Sequence, residues 1–570
     1  MVRTKRQRLG WRRTEAQACD APPLRSGVDT GTAGPMGIGG RRWTTVDVTS
    51  TFAMACWNTC PLEVKEMIWR VLSRHPISTA AYAAVSRNWQ EFFEKKHFKT
   101  ILLSPRRVLD FSRILQEPRK RKLVRHIWLR IELLSYDCPS CEETERWSES
   151  QQNNAIGMNM EKPRDRDEMN PDLTLELSAY SPSDSQHAFP WYNFAHDPYS
   201  EPGHQFGSSA LPTLQTPPPS SPRPLRHINC IGPRVRSDRG WTLLNKWRLY
   251  GLDPGLDIVP RDKRAFVDVV TTLLVRRQSF RQISLEALAS LAGHHLSGLQ
   301  RIHLEPHEAT EFATTVGRCL TPHASCLVLP ADSCPPTGYN RFFTSALPDT
   351  LRELVIFEDN DKHIIGLKQS LYSIIHRYRE AGRIGRALAA CTRHLPALEH
   401  LSVSFVADAR GFFNYFSSPQ SPPVPLTGPP WRKLRSLALT ASDLQCGARD
   451  TPDPMILRLL RGAATVALTI DSLRILELWN GAEDDMGCVF RYQFDDKDTG
   501  EGTWTLVITE EVEEAWREVA RRRSTRPLKV HRQIMTLDDG TWFPLSVLRH
   551  LHLRDRVIHP MSFRQINEAL

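Results

Sequence analysis

Large apolar residues recur along the chain as a spaced triplet, φ-x-x-φ-x-φ. It reads Phe98-Ile101-Leu103, Val124-Ile127-Leu129, Val270-Leu273-Val275, Leu299-Ile302-Leu304 and Leu351-Leu354-Ile356. It continues as Leu398-Leu401-Val403, Leu434-Leu437-Leu439, Leu473-Leu476-Leu478 and Leu548-Leu551-Leu553. The last two positions alternate as in a strand with one buried face, and the first marks the turn into it. Apolar-periodic stretches between triplets, such as Leu285–Leu296 and Ile384–His394, predict helices. A strand-plus-helix unit cannot bury its apolar face alone, so stacked copies are expected to share one parallel sheet.

The spacings 98 to 124 and 270 to 299 match the ~20–29-residue period of leucine-rich repeats. Among the other spacings are 36, 39, 47, 52 and 75, which imply large insertions. Residues 99–570 are therefore expected to form an irregular leucine-rich-repeat-like solenoid, within an α+β or α/β class. An ordinary α/β domain whose buried strands read alike is the rival. Two stretches leave the pattern. "PTLQTPPPSSPRP", residues 212–224, has six prolines in thirteen positions and can hold neither a helix nor an interior strand. With its flanks, about 181–235, it is expected to be a disordered insertion, and Thr216-Pro217 and Ser221-Pro222 have the form of proline-directed phosphorylation sites. "CVFRYQFDDKDTGEGTWTLVIT", residues 488–509, alternates on both sides of a turn-rich centre and predicts a β-hairpin projecting from the array.

Ahead of the triplets stand "TCPLEVKEMIW", residues 59–69, and "AAVSRNWQEFFEKKHFK", residues 83–99. Asn58 or Thr59 can cap a first helix, with Pro61 in its first turn and Leu62, Met67, Ile68, Val71 and Leu72 near helical spacing. Pro76 ends it, and a second helix over about 79–95 carries Tyr82, Val85, Trp89, Phe92 and Phe93. Fewer than fifty residues bury little area, so this unit needs a partner surface, its own chain or another.

Cys60-Pro61-Leu62-Glu63-Val64, then Ile68 and Leu72, then Val85-Ser86-Arg87-Asn88-Trp89, resembles an F-box. The likeness is to the filamentous-fungal F-box proteins that carry a degenerate repeat region behind. It covers residues 54–98 well and the remainder loosely. Cys60 stands where the family has leucine, and Ala80-Ala81-Tyr82 where a leucine-rich helix start is common, which trims the apolar area at about 25 cal/mol per Å². The resemblance implies docking on the Skp adaptor of a cullin-based ubiquitin ligase, with Pro61, Leu62, Ile68, Leu72, Val85 and Trp89 facing the adaptor or supporting that face. It also implies a target protein, named by no motif, held by the repeat region; exposed residues beside the strand triplets are the expected seat. The competing reading is that these residues seal the unit onto the domain behind it, as the N-terminal cap of an interaction scaffold outside any ligase.

Charge changes this picture little. Of the net +10, half lies in residues 1–53, which hold nine bases and four acids. That segment is expected to be a disordered basic leader, with Met54 as an alternative start; nucleic acid is not the expected partner. No apolar run approaches the ~20 residues of a membrane span, and the twelve scattered cysteines suit reduced thiols in the cytoplasm or nucleus. Cys138-Pro-Ser-Cys141 lacks the second pair a structural zinc needs. "GIGG" at 37–40 follows no strand, His307-Glu308 lacks a second histidine, and the acidic runs at 359–361 and 495–498 miss a calcium loop's spacing. No catalytic residue, metal or cofactor is expected.

Overall fold

In the computed structural model, described residues are 57, 60–73, 79–133, 172–180, 267–277, 279, 283–306, 338–344, 347–358, 371–417, 431–444, 453–481, 487–494, 500–504, 509–524, 526–532 and 544–569. The leader 1–53 and Met54, Asn58, Thr59, Pro76, the 138–141 cysteine pair, the 181–235 insertion, His307-Glu308 and the acidic runs at 359–361 and 495–498 lie outside them. Contacts divide the chain into two units, Met1–Val64 and Lys65–Leu570. Of the first, the described part is Trp57, Cys60, Pro61 and the opening turn of helix α1 (Leu62–Ser73).

In the second unit, α1 is followed by a 3-10 segment Thr79–Ala84 and α2 (Arg87–Lys99). The single helix expected over 79–95 is thus broken at Val85-Ser86. Ser86 is extended (φ −161°), and its hydroxyl accepts from the Trp89 N–H, so it caps α2 instead of continuing a helix. The chain then enters β1 (Thr100–Leu103), a short turn Pro105–Arg107, α3 (Val108–Ile114) and α4 (Pro118–Leu123).

The remainder is a mixed α/β fold around one mostly parallel sheet. Its strands are β1, β2 (His126–Glu132), β3 (Leu173–Tyr180), β4 (Val270–Val275), β5 (Arg301–Leu304), β6 (Glu353–Phe357), β7 (His400–Ser404), β8 (Ser436–Thr440), β9 (Ile475–Gly481), β10 (Gly487–Phe494), β11 (Gly500–Trp504) and β12 (Lys529–Arg532). Their order in space is their order in sequence. Pairing is parallel from β1 to β9, antiparallel at β9–β10 and β10–β11, and parallel again at β11–β12. The predicted hairpin forms, but it does not project. β10 has full backbone partners on both edges and burial on both faces, so the hairpin extends the sheet.

The triplets explain the stacking. Ile302, Leu354, Leu401, Leu437 and Leu476 are in register on one face, with Leu304, Ile356, Val403, Leu439 and Leu478 two residues on. All ten are buried in one continuous core. The first triplet position is a turn residue: Leu299, Leu351, Leu398, Leu434 and Leu473 each donate a backbone N–H to the carbonyl three residues earlier. Just after that turn, Arg352 and Glu353 both donate to the Gln300 carbonyl, Glu399 and His400 to Arg352, and Arg435 and Ser436 to Glu399. These rungs copy one turn onto the next.

The helices α5 (Leu285–Ser290), α6 (Gly338–Thr344), α7 (Leu371–Thr392), α8 (Ala409–Ser417), α9 (Pro454–Ala467) and α10 (Glu510–Arg521) form a row in which each packs on the next. Their side chains, among them Leu288, Phe342, Leu388, Phe412, Leu460 and Trp516, join the triplet leucines in that core. α7 and α8 approach through glycines. A methyl group on Gly411 would lie 2.2 Å from the Gly382 carbonyl oxygen and 2.7 Å from its Cα. Gly411→Ala is therefore expected to push two backbones apart at a cost of about 3 kcal/mol, read by chemical denaturation.

The triplet pattern fails in two places. β3 carries no triplet in sequence because Asp172 occupies the turn position, where its carboxylate accepts from Thr271 and Arg301. A register shift at Leu173/Thr174 brings Leu173 into the core in its place. Leu548-Leu551-Leu553, by contrast, is not a strand. It spans a 3-10 segment (Pro544–His550) and the approach to α11 (Arg554–Val557), which α12 (Pro560–Ala569) follows. These leucines pack with Phe357, Ala438, Trp479 and Val489 on the sheet face opposite the helices.

Candidate partner surface

The helical segments 62–99 hold an aromatic cluster. Trp69, wholly enclosed on α1, meets Trp89 edge-on at 6.1 Å and Phe92 at 5.1 Å; Trp89 stacks on Phe93 at 5.8 Å and meets Tyr82 at 5.8 Å. Lys96 Nζ donates to the Ser73 carbonyl and ties the end of α1 to α2. Trp89 thus braces the helices, and of the other predicted contact residues Leu72 is half-buried, whereas Pro61, Leu62, Ile68 and Val85 are exposed. Ile68 lies beside Met67 and Val71 on the outer face of α1. Met67, Val71 and Val85 are 58, 66 and 61 % exposed. Sequence periodicity placed Trp69 in neither role, since α1 is apolar over most of its circumference.

Among the described residues, every exposed large hydrophobic side chain lies between Leu62 and Ile114. Among the described residues past that point the large apolar side chains are buried or half-buried, including those on the face expected to hold a target. The residues beside the triplets, Val355, Ser402, Ala438 and Glu477, are buried rather than exposed. What covers them is the chain's own segment 544–569.

Two buried carboxylates hold that segment. The Glu305 carboxylate accepts from the backbone N–H of His559 (2.6 Å), the hydroxyl of Ser562 and the backbone N–H of Arg277 (3.1 Å), and meets His303 Nε2 at 2.9 Å. Glu477 accepts from the backbone N–H groups of His552 and Leu553, each at 2.9 Å, and from Arg491 Nε at 2.5 Å. Arg491 also donates to the His550 carbonyl, and Arg556 pairs with Glu353 at 3.5 Å. A third carboxylate on this face, Glu176, is shared by Arg276 (2.6 Å) and His126 (2.8 Å).

Burial raises the Glu305 carboxyl, but the bonds from His303 and Ser562 and the nearby imidazoles outweigh it and hold the group at about 2. Glu176 is lowered too: burial opposes its charge, and Arg276 and His126 overcome it. Burial, opposed by Glu305 and assisted by His303 and Arg276, brings His559 down to about 4. Burial beside Arg556 and Arg435 does the same for His400. The Ser402 and Ser404 hydroxyls and the Trp479 indole N–H are buried without a hydrogen-bond partner among the described residues.

Among the described residues no group of His, Cys, Asp or Glu has the arrangement of a metal site, and no helix is long and apolar enough to cross a membrane. Cys60 and Cys391 are free thiols, while Cys488 is disulfide-bonded, a departure from the fully reduced set expected.

These features define a sequentially ordered α/β sheet protein whose face opposite the helices is covered by its own segment 544–569. A family of unknown function, DUF6546, matches residues 346–559, from just before β6 to the residue before α12. No curated protein and no solved structure matches the chain.

Proposed function

We propose that the chain is a substrate-recognition subunit of a Skp-cullin-F-box ubiquitin ligase. The segment 54–98 docks on the Skp adaptor, and a leucine-rich-repeat-like solenoid behind it carries the target. The observation that supports this most is that, among the described residues, exposed large apolar side chains are confined to residues 62–114. An exposed apolar stripe on a helix is a partner surface by default. Ile68 and Val85, with Met67 and Val71, supply contact area, while Leu72 and Trp89 hold the helices in place. The chain makes and breaks no bond itself; it raises the local concentration of a target lysine near the conjugating enzyme.

The alternative, a scaffold outside any ligase, draws on the direct run of α2 into β1, by which the helices can cap the sheet. Full-length chain is expected to bind purified Skp adaptor, and Ile68→Ser with Val85→Ser to weaken binding at least about tenfold while circular dichroism stays unchanged. Absence of binding by the folded chain would favour the scaffold.

A further inference from the structure

A second surface lies beside the adaptor face. Residues 95–125 hold eleven Lys and Arg against two acids, a net of +9 in a chain whose total is +10. Four of these bases have carboxylate partners: Arg106, Arg113, Arg119 and Lys120 pair with Glu132, Asp110, Glu94 and Glu117. Lys95, Arg107, Lys122 and Arg125 are exposed and form no ion pair with a described residue. Set among them are exposed aliphatic side chains, Leu102 at 46 % and Leu109 at 72 %, with Val108 and Ile114 on the same short helix as Leu109.

The same stretch contains the end of the sheet. Among the described strands, β1 pairs only with β2. The Lys99 carbonyl accepts from Arg125 in β2's approach, so the alternation of a strand turns the backbone N–H and C=O of Leu102 to the outer side. No described strand lies there. An exposed edge strand is a template for another chain, and bases along it normally discourage such pairing. Here exposed bases lie near either end of the β1–β2 pair, Arg125 before β2 and Arg107 after β1, and an incoming strand of opposite charge is attracted, not repelled.

We propose that the β1 edge and the basic, aliphatic surface after it bind an extended acidic peptide segment of another protein, which adds to the sheet as an outer strand. Its acidic side chains would meet Arg107, Lys122 and Arg125, its alternate apolar side chains Leu102 and Leu109, and its backbone Leu102. Three features select this occupant. An anionic lipid surface would satisfy the charge and the leucines but leave the strand's backbone groups unpaired. A nucleic acid would satisfy the charge but finds aliphatic side chains where stacking rings are needed. An acidic, leucine-bearing strand meets all three. This site does not depend on the ligase reading.

The test uses the full-length chain and a fluorescein-labelled synthetic peptide alternating glutamate and leucine, followed by anisotropy. Saturable binding is expected. Arg107→Glu, Lys122→Glu and Arg125→Glu together should weaken it at least about tenfold, as should N-methylation of alternate peptide residues, which removes strand donors without touching charge. These residues are exposed, so the variant keeps the fold; its denaturation midpoint checks this. Failure of the peptide to bind, equal affinity for the triple variant, or indifference to N-methylation overturns the proposal. So does tighter binding of a single-stranded oligonucleotide or of phosphatidylserine vesicles.

Discussion

Glu477→Ala is expected to destabilise the protein by about 3–5 kcal/mol, the cost of breaking a buried ion pair by removing one partner. Glu477 is fully buried and serves Arg491, His552 and Leu553 at once. Without it, the Arg491 guanidinium stays buried with only the His550 carbonyl as a described partner, and two backbone donors of the covering segment lose their acceptor. The seat has little in reserve, since Ser402, Ser404 and Trp479 already bury polar groups beneath it that find no partner among the described residues. Segment 544–569 should therefore become the first cleavage site for added protease, while β6–β9 stay protected. Loss of stability with an unchanged cleavage pattern would mean that Glu477 supports the sheet and not the cover.

Acid should open the same region in two stages. An unfolded histidine takes its proton near 6.5, whereas His559 in the fold refuses one until about 4. Across that window the unfolded state binds a proton that the folded state does not, so stability is full above 6.5 and falls as pH drops. The loss is on the order of 3 kcal/mol. Glu305 repeats the argument lower down. An unfolded glutamate is protonated below 4.5, but in the fold the carboxylate persists to about 2, so a further decline follows between those values. Urea denaturation at successive pH values reads both limbs. His559→Gln should flatten the upper limb and shrink the lower only in part: the backbone N–H bond to Glu305 stays, while the imidazole that helps hold the carboxyl down is lost. A variant that keeps both limbs would assign the upper one to another histidine, with His400 the first choice.

The parallel sheet was legible because its signal is local. A turn leucine and two alternating leucines each bury against the same core, and no insertion between units disturbs that spacing. Where one position had another task, as at Asp172, the pattern vanished although the strand formed. Where the spacing served a different surface, as at Leu548-Leu551-Leu553, it misled, since a triplet does not say which face of the sheet it meets. The covering segment was illegible for the same reason: the partners of Glu305 and Glu477 lie hundreds and tens of residues away, and single carboxylates in strands resemble solvated ones. At the N-terminal helices the apolar stripe was plain but its two sides were not. Trp69 faces inward and Val71 outward, and periodicity gives both the same weight. The basic run after Lys95 bears no mark of its own in sequence, since bases spread over a strand and short helices read as solvated faces.

In a sheet whose strands touch only their sequence neighbours, fraying can begin at either end and travel unit by unit, with no sharp transition. Segment 544–569 reaches β5 through Glu305, β6 through Glu353, β9 through Glu477 and β10 through Arg491. It therefore couples strands that do not touch one another, so the stretch from β5 to β10 should melt as a single cooperative block. Among the described residues it forms no hydrogen bond or ion pair with strands β1 and β2, which are left as a softer flank with a transition of their own.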